Sequence, residues 1–384
     1  MIIIFYLSLF LIAYTMVGYP ILLELLYKIV RKKNINSSYD YVPFVSIIVP
    51  AHNEEVVIEK KILNLLNSDY DKSKFEIIIA SDHSTDNTNS IVSKYAEKYP
   101  ENVKLINVIK RKGKTNAQDE AVEVAKGEIL ICTDANSFFS DNAIKELVSF
   151  FNDEKIGYVA GRLVYTNEES SQTSKAENSY WNFDMRMRKI ESDLSSITAG
   201  NGSIYAIRKE KYFNIPLVYS HDSIFPPRYV INDLRAVYNE NALAYEKAGE
   251  TTEDEFKRKK RMARTILSIN FVDIQKYNFF KFGLFSLFYF SHRFLRNNLY
   301  LLHIFVFFSN IFLIFFTNHS AFYATIQFFQ IVAFISPVLP ILSRNKYFKL
   351  LSYYIMTIYA QMIGAFNELT GRSKPFWEKA ETTR

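Results

Sequence analysis

The segment Val45-Ser-Ile-Ile-Val-Pro50 is an uninterrupted apolar run, which is typical of a strand buried on both faces of a sheet. A second run of this kind, Phe75-Glu-Ile-Ile-Ile-Ala80, follows a helical pattern from Glu55 to Leu66. The alternation continues with helices predicted at 87–98 and 114–125 and strands at 103–108 and 128–133. This order predicts an α/β fold with a mostly parallel sheet, covered by helices on both faces.

Polar and charged side chains follow the predicted strands at their carboxyl ends, where such sheets bind ligands. These segments are Pro50-Ala-His-Asn-Glu-Glu55, Ser81-Asp-His-Ser-Thr-Asp-Asn87, Lys110-Arg-Lys-Gly-Lys114 and Thr133-Asp-Ala-Asn136. Acidic residues beside a basic cluster indicate a metal-assisted diphosphate site, in which a cation bridges carboxylate and phosphate. The sequence contains neither the G-x-G-x-x-G dinucleotide motif nor a P-loop, which argues against both of those phosphate sites.

Charged residues are distributed very unevenly along the 384 residues. No Asp, Glu, Lys or Arg occurs before Glu24, between Asn297 and Ser343, or from Leu350 to Asn367. The segments 1–30, 299–316 and 321–342 are long and apolar enough to cross a bilayer. This pattern excludes a simple soluble enzyme, a disordered chain and a collagen-like chain.

Basic residues flank these apolar segments on one side of the predicted membrane. They are Lys28, Arg31, Lys32 and Lys33, then Arg293 and Arg296, then Arg344, Lys346 and Lys349. Positive charge marks the cytoplasmic side, so we expect Met1 and the turn at 317–320 outside and the central domain inside. We therefore attribute the net charge of +6 to contact with a lipid bilayer, and we expect no nucleic-acid partner.

The predicted organisation is a multi-pass protein of the cell membrane with a cytoplasmic catalytic domain. Its parts are an N-terminal transmembrane helix at 1–30, the α/β domain at 41–268, an interfacial helix at 274–296, two transmembrane helices at 298–342, and a membrane or re-entrant helix with a basic cytoplasmic tail at 347–384. The single cysteine, Cys132, excludes an intrachain disulfide and a cysteine metal cage.

With these motifs in this order, the sequence resembles the membrane-embedded family-two glycosyltransferases of GT-A fold, which include cellulose, hyaluronan and poly-N-acetylglucosamine synthases. The resemblance runs from Val45 to about Arg264. It implies inverting transfer of a sugar from a nucleotide-sugar, above all a UDP-sugar, to a growing glycan or lipid-linked acceptor. It also implies Mg²⁺ or Mn²⁺ as the cofactor.

The resemblance assigns the donor side to residues at the predicted strand ends. Pro50, His52 and Glu54 would border the nucleotide. Asp82 would accept a hydrogen bond from the uracil ring, and Lys114 would reach the diphosphate. The family's D-x-D metal motif reads Asp134-Ala-Asn136 here, so that Asn136 would be an uncharged ligand beside Asp134.

Residues for the acceptor side follow further along the chain. The segment Ala199 to Arg208, with Gly202, resembles the family's small-residue segment beside the acceptor, and the expected acidic pair reads His221-Asp222. Asp222 would be the catalytic base. The family's Q-x-x-R-W motif falls on Arg258-Lys-Lys-Arg-Met262, which retains only Arg261. Trp181 is a candidate platform for the acceptor sugar, and 377–384 resembles the family's closing segment.

The residues leave the function open between alternatives. Asn136 and His221 depart from the family pattern, which also fits a catalytically silent membrane subunit that binds a nucleotide-sugar and a partner. Polymer synthesis and single-sugar transfer are not distinguished, although Met262 would stack poorly on a long glycan. A nucleotidylyltransferase is disfavoured because no glycine-rich loop follows the first strand.

Overall fold

The computed structural model of the protein describes residues 1–167, 172–249, 251–338 and 346–376, without the side chains of 172–182, 346 and 347. Two compact units result. The sheet unit comprises Val30–Thr251, Asp273–Ser286 and Lys374–Arg384, and the helical unit comprises Met1–Ile29, Thr252–Val272 and Leu287–Ser373. Each unit has its own packing.

The strands of the sheet unit are β1 (Val45–Ala51), β2 (Phe75–Ser81), β3 (Val103–Asn107), β4 (Ile129–Thr133), β5 (Phe138–Phe139), β6 (Ile156–Tyr165), β7 (Ile204–Arg208) and β8 (Arg235–Glu246). They form one sheet in the order β3-β2-β1-β4-β7-β6-β8-β5. The pairs among β3, β2, β1 and β4 are parallel, as are β6 and β8, whereas β7 is antiparallel to both neighbours.

The α-helices of the described chain are α1 (Ile2–Ala13), α2 (Tyr19–Ile29), α3 (Ile58–Leu66), α4 (Thr88–Lys98), α5 (Lys114–Val124), α6 (Ala143–Ser149), α7 (Gln172–Leu194), α8 (His221–Ile231), α9 (Thr252–Met262), α10 (Phe279–Phe282), α11 (Leu284–Phe288), α12 (Leu299–Phe316), α13 (Ser320–Ile335) and α14 (Lys346–Leu369). A π-helical turn, Tyr14–Gly18, joins α1 to α2.

Aliphatic side chains of the central strands hold the sheet unit together. Ile47 of β1, Ile77 of β2 and Ile131 of β4 are fully buried in one core cluster. Helix α3 adds Ile62 and Leu65 to the same cluster, since these residues recur on one face of the helix. Full burial of each such side chain stabilises the fold by about 1.5–3 kcal/mol. The parallel strands are thereby fixed with their carboxyl ends at one edge.

Within the described part of the helical unit, three helices are long and apolar enough to cross a membrane: Ile2–Ile29, Leu299–Phe316 and Ser320–Val338. In the N-terminal one, the ring of Phe5 packs edge-on against Tyr323 of α13, with ring centroids 5.4 Å apart. Helices α12 and α13 are also joined by a hydrogen bond of 2.9 Å from Asn310 to Gln327. Polar pairs of this kind stabilise helix association in an apolar environment.

Helix α14 packs closely on α9 and the segment that follows α9. A Cβ on Gly364 would lie 2.4 Å from the carbonyl oxygen of Ala263, so only glycine permits this approach of the two backbones. At the end of α14, the carboxylate of Glu368 accepts the backbone N–H groups of Leu267 and Ser268 at 2.8 and 2.9 Å. Whether 350–367 spans a membrane stays a prediction.

The predicted α/β fold is confirmed, and the first four predicted strands are present with bounds that differ by at most one residue. One local expectation is wrong, and one helix was not predicted. The region around Asp222 is helix α8, which contains Pro226 and Pro227 although proline disfavours the interior of a helix. The interfacial helix predicted at 274–296 is not continuous: this stretch is broken into a 3₁₀ turn, Ile274–Tyr277, then α10, α11 and a π-helical turn, Tyr289–Leu295.

Candidate active site

Three charged side chains converge on Gly202. A Cβ on this residue would lie 2.9 Å from Lys114 Nζ, 3.9 Å from Asp134 Oδ2 and 4.0 Å from Asp222 Oδ1. Lys114 begins α5, Asp134 follows β4, and Asp222 lies in the first turn of α8. The structure therefore brings together residues that the sequence analysis assigned to the diphosphate, the metal and the base.

Lys114 forms an ion pair with Asp134, and its ammonium also donates to the carbonyl of Gly202 at 3.3 Å. Both side chains of the pair are about one-third exposed, so solvent reaches this cation. An ammonium that is held in place beside a carboxylate is preorganised for an anionic group that enters the same space.

A proline in α8 explains how Asp222 is fixed. In a regular helix the N–H of residue 226 would bond to the carbonyl of Asp222, but Pro226 has no N–H. The carbonyl of Asp222 instead accepts the N–H of Gly200 at 2.8 Å. The loop that contains Gly200 is also held by Arg188 of α7, which donates a hydrogen bond of 3.0 Å to the carbonyl of Ala199.

His221 has a different environment from its neighbour Asp222. Its Nε2 atom lies 3.1 Å from Asp119 Oδ1 and 2.9 Å from the hydroxyl of Tyr212, and the ring is buried. Tyr212 in turn donates to Asp119. These contacts make His221 part of a buried cluster that anchors the start of α8 to α5.

Asp82 organises the basic loop that precedes Lys114. Its carboxylate oxygens accept the backbone N–H groups of Lys112 and Gly113 at 3.1 and 3.0 Å. The side chain is buried, and its backbone carbonyl lies 2.7 Å from Nδ1 of His52. Asp82 and His52 are thus close together, and Asp82 sets the course of the loop that leads to the diphosphate site.

The other two residues predicted at the nucleotide belong to the same edge of the sheet. Pro50 pairs with Ala80 in the parallel ladder of β1 and β2. Glu54 is buried just beyond β1, and its backbone N–H donates to the hydroxyl of Thr88 at 2.8 Å. The four residues predicted at the nucleotide itself therefore lie near the end of β1 or just beyond β1 and β2.

Two residues beside Asp82 were given no individual role in the sequence-based prediction. Arg111 and Phe376 border the same small depression as His52 and Asp82, and the guanidinium of Arg111 lies 5.5 Å from the centre of the Phe376 ring. Gly113, with φ of +96°, approaches the backbone of Pro375 so closely that a Cβ would lie 2.5 Å from its carbonyl oxygen. The predicted closing segment 377–384 lies outside the described residues.

Two further ionisable residues that the sequence analysis missed lie behind the turn at Asp134 and Asn136. The Glu246 carboxylate accepts Asn136 Nδ2 at 2.9 Å and the hydroxyls of Ser137 and Ser203 at 3.0 Å each. Burial raises the pKa of Glu246, and the charge of Asp134 raises it further.

Lys61 of α3 is the second of these groups. Its ammonium donates to the hydroxyl of Thr133 at 2.9 Å and to the carbonyl of Ser137. Burial lowers the pKa of Lys61 to about 7, although the charges of Asp134 and Glu246 act in the opposite direction. No sequence pattern marked Lys61, which looks like one more charge in an amphipathic helix.

Asp134 and Asn136 together offer one carboxylate and one amide. Across the described ranges, no group of three or more His, Cys, Asp or Glu side chains could hold a metal ion. Mg²⁺ usually binds to proteins through one or two carboxylates together with waters and substrate phosphates. The two residues therefore fit a divalent cation whose remaining ligands come from a diphosphate and water.

The acceptor residues predicted near Met262 belong to the helical unit. Arg258 pairs with the buried Glu255 through two hydrogen bonds of 2.7 and 3.0 Å, and Tyr353 of α14 donates to the same carboxylate. Met262 is 64% exposed, and Arg261 lies in the last turn of α9. The side chain of Trp181, in α7, lies outside the described residues. Roles in acceptor binding for these four residues stay predictions.

The fold is shared with glycosyltransferases of the GT-A type. Mannosyltransferase PcManGT from Pyrobaculum calidifontis, solved in complex with GDP-Man and Mn²⁺, superposes with a TM-score of 0.73 over 96% of this chain and 99% of that chain, at 19% sequence identity. Residues 46–213 match the family model described as glycosyl transferase family 2. This stretch is therefore a glycosyltransferase domain of that family.

Curated relatives agree with this assignment. A beta-monoglucosyldiacylglycerol synthase of Nostoc sp. is 30% identical over 173 residues, which are 44% of this chain and 36% of the relative. A probable glycosyltransferase of Bacillus subtilis, YdaM, is 36% identical over 130 residues, or 33% of this chain and 30% of the relative. The chain thus spans about a third of the length of these curated relatives.

Proposed function

We propose that the protein transfers a sugar, with inversion, from a nucleotide-sugar to a glycan or lipid-linked acceptor at the cytoplasmic face of the cell membrane. The observation that carries this proposal is the convergence of Lys114, Asp134 and Asp222 on Gly202, inside and next to the glycosyltransferase domain. The ammonium of Lys114 and the carboxylates of Asp134 and Asp222 provide, close together, the charges that displacement of a diphosphate by a hydroxyl requires.

Asp222 is the proposed catalytic base. In an inverting transfer, the acceptor hydroxyl attacks the anomeric carbon from the side opposite the leaving diphosphate. Its proton passes to a carboxylate as the new bond forms, and a base placed in this way accelerates the reaction by about 10²–10⁴-fold. Asp222 suits this role because the bond from Gly200 to its carbonyl fixes its backbone near the site.

Lys114 and Asp134 form the proposed leaving-group side. The ammonium of Lys114 neutralises charge that develops on the diphosphate, and its contact with Gly202 keeps it in place before the reaction. Asp134 and Asn136 are the residues that would hold Mg²⁺ or Mn²⁺. When bound, such a cation supplies Lewis-acid stabilisation of the diphosphate. Pro50, His52, Glu54 and Asp82 are the proposed neighbours of the nucleotide, with a UDP-sugar as the preferred donor.

A membrane location supports a lipid-linked or glycan acceptor. Among the residues that the structure describes, three helices are long and apolar enough to cross a bilayer, and the name of the Nostoc relative describes the synthesis of a glycolipid. Gly202, Trp181, Arg258, Arg261 and Met262 are the proposed residues of the acceptor side.

The proposal predicts the effect of Asp222→Asn on the protein purified in detergent. The protein is offered UDP-, GDP- and dTDP-sugars with Mg²⁺ or Mn²⁺ and a lipid extract, and release of nucleoside diphosphate is measured. We expect release from one donor, and a loss of about 10²–10⁴-fold in the variant. Donor binding, measured by calorimetry, should be unchanged, because the amide side chain keeps the shape of the carboxylate that it replaces.

Asp233→Asn is the matched control. Asp233 is exposed just beyond the same helix and has a φ of +63°, which asparagine also tolerates. This variant should retain full transfer. An active Asp222→Asn protein would remove Asp222 as the base. Donor binding without release by the wild-type protein would favour a catalytically silent subunit.

A further inference from the structure

Glu246 is the last residue of β8 and lies behind the turn that carries the proposed metal ligands. Its carboxylate receives three hydrogen bonds, from Asn136, Ser137 and Ser203. Two of these donors, Asn136 and Ser137, closely follow Asp134 in the chain, while Ser203 follows Gly202. Glu246 therefore joins the two segments that face each other across the candidate active site.

The contact with Glu246 determines how the amide of Asn136 is oriented. The described hydrogen bonds to the Glu246 carboxylate are all donated to it, and the NH₂ group of Asn136 is one of the donors, with Nδ2 2.9 Å from the carboxylate. The carbonyl oxygen of the same planar amide is then turned away from Glu246. This oxygen is the atom through which an asparagine can bind a hard cation.

With asparagine at position 136, the metal motif has one negative charge fewer than a D-x-D motif, in which position 136 would be an aspartate. The carboxylate of Glu246 lies directly behind that amide and polarises it, which increases the negative charge on the carbonyl oxygen. Residues that hydrogen-bond to metal ligands orient them in this way, and their loss typically weakens metal affinity by about 10–100-fold.

Resting on the proposed function, we propose that Glu246 is the positioning residue of the cation site. It orients the Asn136 amide and supplies, from behind that amide, the negative charge that an aspartate at position 136 would carry. Asn136 and Glu246 thus act as a pair in which the uncharged group faces the cation and the charged group stands behind it.

The test measures Mn²⁺ binding directly, by the electron paramagnetic resonance signal of free Mn²⁺, in the full-length protein with UDP present. For Glu246→Gln we expect affinity for Mn²⁺ to fall by about 10–100-fold. A glutamine offers both a donor and an acceptor, so the Asn136 amide is no longer held in one orientation. Glu240→Gln, an exposed change on the same strand, should leave Mn²⁺ affinity unchanged.

A double variant separates positioning from a general structural effect. Asn136→Asp combined with Glu246→Gln exchanges the carboxylate and the amide, so that the pair keeps its hydrogen bond with the charge now next to the cation. We expect this variant to recover Mn²⁺ affinity to at least the wild-type level. In Asn136→Asp alone, two carboxylates would lie in contact, and we expect a lower melting temperature.

The inference is overturned if Glu246→Gln, folded by its melting temperature, binds Mn²⁺ as tightly as the wild type. It is equally overturned if the double variant binds Mn²⁺ as weakly as Glu246→Gln, or if the wild type binds none. The last result leaves the proposed transfer to be decided by the donor assay with Asp222→Asn, so the two failures can be told apart.

Discussion

Asp82 shows how one buried carboxylate can control a binding loop at the scale of a residue. Both of its oxygens accept backbone N–H groups of the basic loop. Asp82→Asn replaces one carboxylate oxygen by an NH₂ group, which cannot accept the backbone N–H that faces it. A buried donor that is left without an acceptor lowers the stability of the loop by about 1–3 kcal/mol. We expect the loop to shift and UDP affinity, measured by calorimetry, to fall by about tenfold or more.

The matched control for that change is Asp71→Asn, at the opposite end of β2. Asp71 also accepts a backbone N–H, that of Ser73 at 2.9 Å, but it precedes the strand that Asp82 follows. Its variant should bind UDP like the wild type. Equal losses in both variants would mean that Asp82 acts only through the stability of the fold.

The residues of the site differ in how far a sequence reveals them. Lys114 and Asp134 follow predicted strands, so their proximity was expected from the fold, whereas Asp222 was indicated only by the family resemblance. Glu246 lies 110 positions from its partner Asn136, in a strand with no motif, so only the folded sheet brings the two together. The contact of Phe376 with Arg111 is hidden for the same reason, because it joins distant parts of the chain.

At the scale of an element, the loop from Ala199 to Ser203 contains two glycines with different requirements. A Cβ on Gly202 would meet the flexible ammonium of Lys114 at 2.9 Å, whereas a Cβ on Gly200 would lie 1.8 Å from the hydroxyl of Tyr158. Tyr158 is fully buried and stacked on Tyr205, so it cannot move aside. Gly200 is thus required by the packing of Tyr158 against the loop, whereas Gly202 leaves space for Lys114 at the site.

This difference predicts opposite effects of two alanine substitutions. Gly202→Ala displaces Lys114 from its charged hydrogen bonds, worth about 1.5–3 kcal/mol, so sugar transfer should fall by about tenfold or more with little change in melting temperature. Gly200→Ala overpacks the core by about 1–3 kcal/mol and should lower the melting temperature by several degrees. A stable, fully active Gly202→Ala protein would contradict the placement of Lys114.

Elements were predictable where one local signal dominates. Continuous apolar runs identified β1, β2 and β4 because both faces of these strands are buried. Helix α8 was missed because Pro226 and Pro227 argue against a helix, and the replacement bond from Gly200 to Asp222 depends on a loop far away in sequence. The other half of the sheet, from β7 to β5, has mixed pairing and lacks a repeating strand–helix order, so its pairing could not be inferred.

At the scale of the whole molecule, each unit is assembled from separate stretches of chain. The helical unit combines Met1–Ile29, Thr252–Val272 and Leu287–Ser373, and the sheet unit includes residues from after the last helix. Domains predicted as continuous segments of sequence cannot show such an arrangement. It depends on tertiary packing within a unit, such as that of Gly364 against Ala263. Hydropathy alone was enough to locate the three candidate membrane helices.

The basic flanks of those helices predict the orientation of the protein in the membrane. The buried Cys132 is the sole native cysteine, so a single introduced thiol can be labelled selectively. Asn318→Cys, exposed in the turn between α12 and α13, should react with a membrane-impermeant maleimide in intact cells. Ser37→Cys, exposed just after the basic cluster Arg31 to Lys33, should react only once the membrane is permeabilised. Labelling of Ser37→Cys in intact cells would place the sheet unit outside, where cytoplasmic nucleotide-sugars do not reach, and would contradict the proposed location of the active site.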